Sequence, residues 1–210
     1  MIKNIIFDWN GTLIDDTQLS LEIENDLFLE RGLRQIDLKE YRDCFCFPVI
    51  HYYEKIGFDF KNHSFEDIST QFTKIYSQRY KECHLMHHTV ELLKELKERQ
   101  INCSILSASH YKNLIEQVQY YGIAPFFSDI IGTHTIHAIS KVEYGKQWIQ
   151  KRNLDPEECL FIGDTDHDKD TADAMNVYCI LFSNGHQSEE VLKKKNKVVI
   201  SDLMELLDYL

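Results

Sequence analysis

The stretch from Ile5 to Asp16 constrains the fold more than any other part of this 210-residue sequence. Residues Ile5 to Phe7 form a short apolar run, which predicts a strand buried on both faces. From Asp8 the sequence changes to a carboxylate, an amide, a glycine and a hydroxyl within five residues, and Gly11 favours a tight turn. Open α/β sheets bind ligands at the carboxyl ends of their parallel strands, so the pattern predicts that Asp8 stands at such an end.

Strand-like and helix-like segments alternate along the rest of the chain. Apolar runs at 101–106, 129–132, 159–162, 177–182 and 198–201 are typical of strands, and segments with helical spacing separate them. Alternation of this kind predicts an α/β fold with a parallel sheet and right-handed crossovers. Residues from about 17 to 83 show helical spacing without a convincing strand, with helices predicted at 17–31, 38–46, 49–56 and 65–83. We therefore expect a core domain formed by 1–16 and 84–210, and a helical insertion at 17–83.

The composition limits the classes of partner. The formal net charge of −11 opposes binding to nucleic acid or to an anionic membrane, because phosphates would be repelled over most of the surface. No segment approaches the roughly 18 apolar residues of a membrane-spanning helix, and Asp8 interrupts the first apolar run too early for a signal peptide. The six cysteines include no C-x-x-C pair, which favours reduced thiols. We expect a cytoplasmic protein without nucleic-acid or membrane partners.

A second acidic turn follows a later apolar run. Asp164 and Asp168 lie four residues apart in the segment GDTDHD at 163–168. Together with Asp8 they would supply the hard oxygen ligands that Mg²⁺ prefers. Acidic residues are also common as helix caps, and a single cluster would favour that explanation. Two clusters that follow two strands of one α/β pattern favour a metal site instead.

The segment DWNGTL at 8–13 resembles the first motif of the haloacid dehalogenase (HAD) superfamily, D-x-D-G-T-L, and GDTDHD resembles its fourth motif, G-D-x-x-x-D. The resemblance implies a HAD-like Rossmannoid parallel sheet flanked by helices, with residues 17–83 as an α-helical cap over the site. It also implies that Asp8 is a nucleophile that forms an aspartyl-phosphate. The implied Mg²⁺ ligands are Asp8, the backbone of Asn10, Asp164 and Asp168.

Two further segments match the order of the family's motifs. Ser107 ends the second strand-like run, where the family has a Ser or Thr that hydrogen-bonds the transferring phosphoryl group; turn capping would explain Ser107 alone. The family also has a lysine that offsets charge between nucleophile and phosphate. Lys141 fits that position better than Lys146, although the usual following proline is absent, and Lys146 is expected on a helix surface. The phosphate-binding set implied by the resemblance is Thr12, Ser107, Ala108 and Lys141, to which Ser109 could add a backbone N–H.

Asn10 departs from the family pattern, which has a second Asp acting as general acid and base. An amide does not exchange a proton at neutral pH, and loss of a positioned acid–base costs on the order of 10²–10⁴ in rate. Three hypotheses follow, and the first is a phosphatase that acts on good leaving groups or uses another acid, such as Asp15, Asp16 or a cap residue. Alternatively, the protein is a phosphonoacetaldehyde-hydrolase-like C–P hydrolase, which would need a cap lysine such as Lys39 or Lys55. A third hypothesis is a slow or inactive relative that binds phosphorylated ligands.

Several other residues have simpler explanations. Trp9 is expected to pack rather than to take part in catalysis. His134 and His137 flank a loop after the third strand but lack a third ligand at zinc spacing. For His167, contact with substrate and a surface position are both open. Surface positions are expected for His87, His88, Asp170, Asp173 and the lysine run at 193–195, and Asp166 has no counterpart as a required ligand in the family motif.

The leading hypothesis is a Mg²⁺-dependent HAD-family phosphatase of a small phosphorylated metabolite. The segment FPVIHYYEKIGF at 47–58 resembles the caps of phosphoglycolate-phosphatase-like members of the family. The identity of the metabolite is open, and so is the choice between a monomer and a homodimer.

Overall fold

The computed structural model describes residues 1–60, 64–134 and 141–210. These residues contain the strands β1 (Asn4–Phe7), β2 (Ile14–Asp15), β3 (His84–Leu85), β4 (Asn102–His110), β5 (Phe127–Thr133), β6 (Cys159–Gly163), β7 (Tyr178–Phe182) and β8 (Val199–Ile200). They also contain the helices α1 (Thr17–Leu29), α2 (Leu38–Cys44), α3 (Val49–Lys55), α4 (Phe65–Arg79), α5 (Thr89–Glu98), α6 (Tyr111–Tyr120), α7 (Lys141–Arg152), α8 (Asp166–Ala174) and α9 (Glu189–Lys195). Short 3₁₀ helices cover Tyr80–Glu82, Ala124–Phe126, Pro156–Glu158 and Leu203–Tyr209.

Six strands form one parallel sheet in the order β5-β4-β1-β6-β7-β8. Strand β1 lies inside the sheet, and its Phe7 is paired with Ile105 of β4 and with Ile162 of β6. All three side chains are fully buried, as expected for a strand that helices cover on both faces. The predicted α/β class is confirmed, and the sheet brings the carboxyl ends of β1, β4 and β6 to one edge.

Helices α1 to α4 lie between β2 and β3, and no strand occurs in the described residues from 17 to 60 and 64 to 83. Helix α1 buries Ile23, Leu27 and Phe28 at helical spacing. These residues belong to the same apolar core as Ile5 and Phe7 of β1. The helical segment therefore packs directly against the α/β part of the chain.

Several helices and strands begin or end a few residues from their predicted bounds, and one strand pair is not predicted at all. Strand β4 continues past the predicted end at residue 106, because a register shift allows His110 to pair with Thr133 of β5. The antiparallel pair of β2 and β3 is not predicted, since two residues are too few to show a period-2 pattern. Residues Leu203–Tyr209, which follow the last strand, form a 3₁₀ helix.

Among the described helices, none combines the length and the apolarity that crossing a bilayer requires. The six cysteines, all of which lie in the described part of the chain, are free thiols.

Candidate active site

The pairing of β1 with β6 brings the two acidic turns together. Asp8 directly follows β1, and its backbone N–H donates to the carbonyl of Ile162 at 2.8 Å. Asp164 directly follows β6, and Asp168 lies in the first turn of α8. One carboxylate oxygen from each of Asp8, Asp164 and Asp168 lies within 4.8 Å of the other two. Two segments more than 150 residues apart thus meet in one cluster, which we call the carboxylate cluster.

Lys141 lies against this cluster, whereas Lys146 does not. The Nζ atom of Lys141 donates to Asp8 Oδ1 and to Asp168 Oδ1, each at 2.5 Å, and its side chain is buried. Lys146 lies further along α7 and faces Glu143 at 3.8 Å, with 42% of its side chain exposed. Of the two candidate lysines, the structure places Lys141 between the two acidic turns.

Burial and mutual repulsion shape the protonation of the cluster. Burial, together with the charges of Asp168 and Asp164, outweighs the opposing charge of Lys141 and raises the pKa of Asp8 to about 8. Burial likewise raises the pKa of Asp164 to about 6. Burial also acts to raise the pKa of Asp168, but the charge and hydrogen bond of Lys141 outweigh it and leave that pKa lowered.

The donor set fits a divalent cation. The cluster contains three buried carboxylates and one buried ammonium group, which contacts two of them, so full ionisation leaves an excess of buried negative charge. Carboxylate oxygens are the ligands that Mg²⁺ takes from proteins, and Mg²⁺ commonly uses one or two of them beside waters and phosphate oxygens. A bound Mg²⁺ would offset the repulsion that raises the pKa of Asp8.

Hydrogen bonds fix the orientation of the two carboxylates near α8. Thr165 caps α8, and Asp168 Oδ2 accepts from its N–H at 3.0 Å and its hydroxyl at 2.7 Å. This leaves Asp168 Oδ1 facing Lys141. Asp164 accepts hydrogen bonds from the Thr12 hydroxyl at 3.1 Å and from the backbone N–H of His186 at 2.6 Å.

Gly11 shows how closely the loops approach this cluster. Its φ of 70° lies in the left-handed region, and a Cβ at this position would collide with the Asp164 carboxylate and the His186 ring. A glycine is therefore required for the first turn to pack against the second.

Asn10 lies in a hydrogen-bonded network rather than facing open space. Its amide nitrogen donates to Asp16 Oδ2 at 2.7 Å and to the Tyr76 hydroxyl at 2.9 Å. Its amide oxygen accepts from the Ser109 hydroxyl at 2.8 Å. The Tyr76 hydroxyl itself donates to Asp16 Oδ2 at 2.6 Å. The network joins the turn after β1 to β4 and to helix α4.

Asp16 and His186 form a buried ion pair beneath this network. His186 Nε2 lies 3.3 Å from Asp16 Oδ1, and the other ring nitrogen is 2.8 Å from the hydroxyl of Tyr41 in α2. Burial acts to lower the pKa of His186, but the charge of Asp16 outweighs it and raises that pKa to about 9. Burial acts to raise the pKa of Asp16, but His186 and the hydrogen bonds from Tyr76 and Asn10 leave it lowered.

The residues of the second motif lie at the neighbouring strand end. Ser107 is buried in β4, one position beyond the residue level with Asp8, and its hydroxyl accepts from the Ser109 N–H at 3.1 Å. The carbonyl of Ala108 accepts from Thr133 on β5. The side chain that reaches the turn after β1 is that of Ser109, which contacts Asn10.

The remaining candidates have contacts with residues outside the carboxylate cluster. Trp9 is buried as predicted, and its indole N–H donates to Gln117 at 2.7 Å. The His167 ring lies 4.8 Å from that of Phe47, and the His134 ring lies 4.9 Å from that of Tyr111. His137 lies outside the described residues. Asp166 accepts from Gln187, whereas Asp170 pairs with Lys195 and Asp173 with Lys169.

Sequence reasoning missed His186 and Tyr76. His186 follows Ser183-Asn184-Gly185, a polar and glycine-containing segment directly after the buried strand β7. Asp8 and Asp164 were identified because polar residues that directly follow a buried parallel strand lie at the ligand-binding edge of the sheet. The same reasoning would have identified His186, because β7 ends at that edge. Tyr76 carries no such signal, since its contact depends on how α4 packs.

Comparison with known proteins finds relatives that align with nearly the whole chain. A family model described as haloacid dehalogenase-like hydrolase matches residues 5–182. A phosphoglycolate phosphatase of Vibrio vulnificus (strain CMCP6) is 23% identical over 219 aligned positions, which cover 99% of this chain and 95% of the relative. The pyrophosphatase PpaX of Oceanobacillus iheyensis is 24% identical over 216 positions, which cover 98% and 95%.

Solved structures have the same fold. A predicted phosphatase from Clostridium acetobutylicum aligns with a TM-score of 0.83 over 100% of this chain and 98% of its own. The two sequences are 18% identical, so this likeness concerns the fold alone.

Proposed function

The chain belongs to the family of haloacid dehalogenase-like hydrolases, and on that premise we propose that it is a Mg²⁺-dependent phosphatase of a small phosphorylated metabolite. The observation that carries the proposal is the cluster of three buried carboxylates around Lys141, at the carboxyl ends of β1 and β6. The relatives named as phosphoglycolate phosphatase and pyrophosphatase support phosphate hydrolysis as the reaction class.

In the proposed reaction, a carboxylate oxygen of Asp8 attacks phosphorus and forms an aspartyl-phosphate while the bond to the leaving group breaks. Water then cleaves this acyl phosphate, which releases phosphate and restores the Asp8 carboxylate. Lys141 favours the ionised nucleophile because its ammonium group lies 2.5 Å from Asp8 Oδ1. The Ser107 hydroxyl, the backbone N–H of Ala108 and the ammonium group of Lys141 are proposed to bind the phosphoryl oxygens. Thr12 is proposed to act beside them through Asp164, because its N–H donates to the Trp9 carbonyl at 3.3 Å and its hydroxyl donates to Asp164.

Asp8, Asp164, Asp168 and the backbone carbonyl of Asn10 would hold the Mg²⁺. Its chemistry there is to offset charge between the anionic nucleophile and the anionic phosphate. Thr12 and His186 support this role by orienting Asp164 through hydrogen bonds at 3.1 and 2.6 Å.

Asn10 leads us to propose a class of leaving group. Its amide is engaged with Asp16, Tyr76 and Ser109, and an amide cannot protonate an alkoxide. Leaving groups that depart without a proton, such as aryl oxides, phosphates or carboxylates, are therefore preferred over simple alcohols. If a proton is supplied, Asp16 and Tyr76 stand closer to position 10 than Asp15, which lies in β2 beside His84.

We further propose that residues 17–83 act as a cap. Tyr76 of α4 contacts Asn10, and Tyr41 of α2 contacts His186, so two helices of this segment reach side chains beside the carboxylate cluster. Helices in these positions would exclude water from the site once substrate is bound.

The C–P hydrolase alternative receives no support from the two cap lysines. The side chain of Lys39 is 81% exposed and pairs with Asp43. Lys55 contacts the thiol of Cys46. A Schiff-base lysine would have to face Asp8, as Lys141 does.

The test is hydrolysis of an aryl phosphate with Mg²⁺ and with EDTA. We expect Mg²⁺-dependent turnover in the wild type and none in Asp8→Asn, because an amide cannot attack phosphorus. Asp173→Asn is the matched control, since Asp173 is an exposed carboxylate of α8 that pairs with Lys169. Turnover by Asp8→Asn would remove Asp8 as nucleophile, and tight phosphate binding without turnover in the wild type would favour a binding protein.

A further inference from the structure

Two histidines and an aspartate converge on the protein surface, away from the carboxylate cluster. His88 Nδ1 lies 2.8 Å from both carboxylate oxygens of Asp202, and His87 Nδ1 lies 3.9 Å from Asp202 Oδ2. One potential ligand atom of each residue lies within 4.8 Å of the other two. Asp202 follows β8, which is two strands from β6 and three from β1, separations of roughly 10 and 14 Å at ~4.8 Å per strand.

The backbone brings the two imidazoles to the same side of the chain. His88 precedes α5 with a φ of 64°, a left-handed conformation that is uncommon for residues other than glycine. The rings of His87 and His88 consequently lie with their centroids 3.7 Å apart, although neighbouring side chains usually diverge. A separate hydrogen bond orients the Asp202 carboxylate, because its Oδ1 accepts from the backbone N–H of Met204 at 2.8 Å.

A hydrogen bond to Asp202 explains the position of His88 but not that of His87. The side chain of His87 is 80% exposed, yet its Nδ1 faces the carboxylate that His88 already contacts. Two imidazole nitrogens and a carboxylate oxygen are a common ligand set for Zn²⁺ and related divalent transition metals. Mg²⁺ prefers oxygen ligands, so this group and the carboxylate cluster differ in the metal they suit.

We propose that His87, His88 and Asp202 form a second metal site, which binds a divalent transition metal such as Zn²⁺. Three protein ligands leave a fourth position for water or for another donor. The bound metal ties the start of α5 to the 3₁₀ helix Leu203–Tyr209, which Asp202 caps. The proposal is independent of the proposed phosphatase activity.

The test is a titration of the full chain with Co²⁺ in saturating Mg²⁺, which keeps the carboxylate cluster filled. We expect one Co²⁺ per chain, with the visible absorption of a four-coordinate site that contains nitrogen ligands, and displacement of Co²⁺ by Zn²⁺. His87→Ala should weaken Co²⁺ binding at least tenfold, and the fold should persist because the side chain is exposed. Asp202→Asn should weaken binding as well.

His51→Ala is the matched control. The His51 Nδ1 atom also lies close to a carboxylate, 3.0 Å from Glu54 Oε2, but it belongs to no group of three ligands among the described residues. Equal affinity of the wild type and His87→Ala would overturn the proposal. A six-coordinate all-oxygen spectrum, or binding that Asp164→Asn abolishes, would place the metal at the carboxylate cluster and would also overturn it.

Discussion

At the scale of single residues, Asn10 and Asp16 have to be considered as a pair. The family motif has a carboxylate at position 10, whereas this chain has an amide there, and the amide nitrogen of Asn10 lies 2.7 Å from the Asp16 carboxylate. An aspartate at position 10 would face Asp16 Oδ2 without a hydrogen to donate. Two unit charges 4 Å apart repel by roughly 4 kcal/mol at the effective dielectric of a protein. The amide of Asn10 avoids this repulsion and donates a hydrogen bond to Asp16 instead.

The double variant Asn10→Asp/Asp16→Asn should hydrolyse alkyl phosphates faster than the wild type, by on the order of 10²-fold or more in kcat/KM. It provides an acid at position 10 and an amide at position 16 that can donate to it, and a positioned acid–base is worth about 10²–10⁴ in rate. The gain on aryl phosphates should be smaller, because their leaving groups need no proton. Steady-state kinetics on a matched alkyl and aryl pair would measure both effects.

The single variant Asn10→Asp serves as the comparison. It keeps Asp16 in place, so we expect little of the gain and a lower melting temperature. If the single variant gained as much activity as the double variant, Asp16 would not be the partner that determines the residue at position 10.

At the scale of elements, the sequence predicts those parts of the site that follow strands. Asp8 and Asp164 each end an apolar run, and the pairing of β1 with β6 is sufficient to bring them together. Asp168 lies beside them because Thr165 caps α8, which places Asp168 in the first turn of that helix. Their proximity was therefore predictable from local patterns, whereas their roles in catalysis and metal binding stay predictions.

The contacts from the helical segment were not predictable in the same way. Tyr76 lies 60 residues from Asp16, and Tyr41 lies 145 residues from His186. The apolar spacing of a helix indicates which face is buried, but it does not indicate which residue of another element that face meets. Only the folded structure shows that Tyr76 of α4 reaches the turn after β1 and that Tyr41 of α2 reaches His186 after β7.

Removing the Tyr76 hydroxyl should loosen helix α4 from the turn after β1. Tyr76→Phe deletes the donor to Asp16 and the acceptor of the Asn10 amide while it keeps the ring that stacks on Phe72. A hydrogen bond to a charged group is worth about 1.5–3 kcal/mol, so we expect a loss of stability of that order and a several-fold higher KM. Urea unfolding and aryl phosphate kinetics would measure the two effects.

Tyr178→Phe is the matched control, because Tyr178 is half exposed on β7 and its hydroxyl is remote from this network. A Tyr76→Phe variant with the stability and KM of this control would mean that the hydroxyl does not hold α4 in place.

At the scale of the whole molecule, one buried carboxyl group links the fold's stability to pH. Glu24 of α1 is buried among the aromatic rings of the helical segment, and the hydroxyl of Tyr52 donates to its Oε2 at 2.5 Å. Burial raises the pKa of Glu24 from 4.5 to about 8, against the opposing hydrogen bond of Tyr52 and charge of His186. In the folded chain Glu24 thus keeps a proton that the unfolded chain releases at lower pH.

The sign of the effect follows from this difference. Between pH 4.5 and about 8 the folded state binds the extra proton, so the contribution of Glu24 to stability is full at pH 4.5 and falls as the pH rises. Glu24→Gln is neutral throughout, so we expect it to gain stability relative to the wild type across this range, by on the order of a few kcal/mol. Urea unfolding of both proteins from pH 5 to 9 would measure the difference, in which the titration of Asp8 and other shared groups cancels.

Glu22→Gln, at an exposed position of the same helix, should follow the wild type at every pH. A difference between Glu24→Gln and the wild type that does not change with pH would show that Glu24 stays ionised in the folded protein, and that the tyrosine hydroxyls around it compensate fully for its burial.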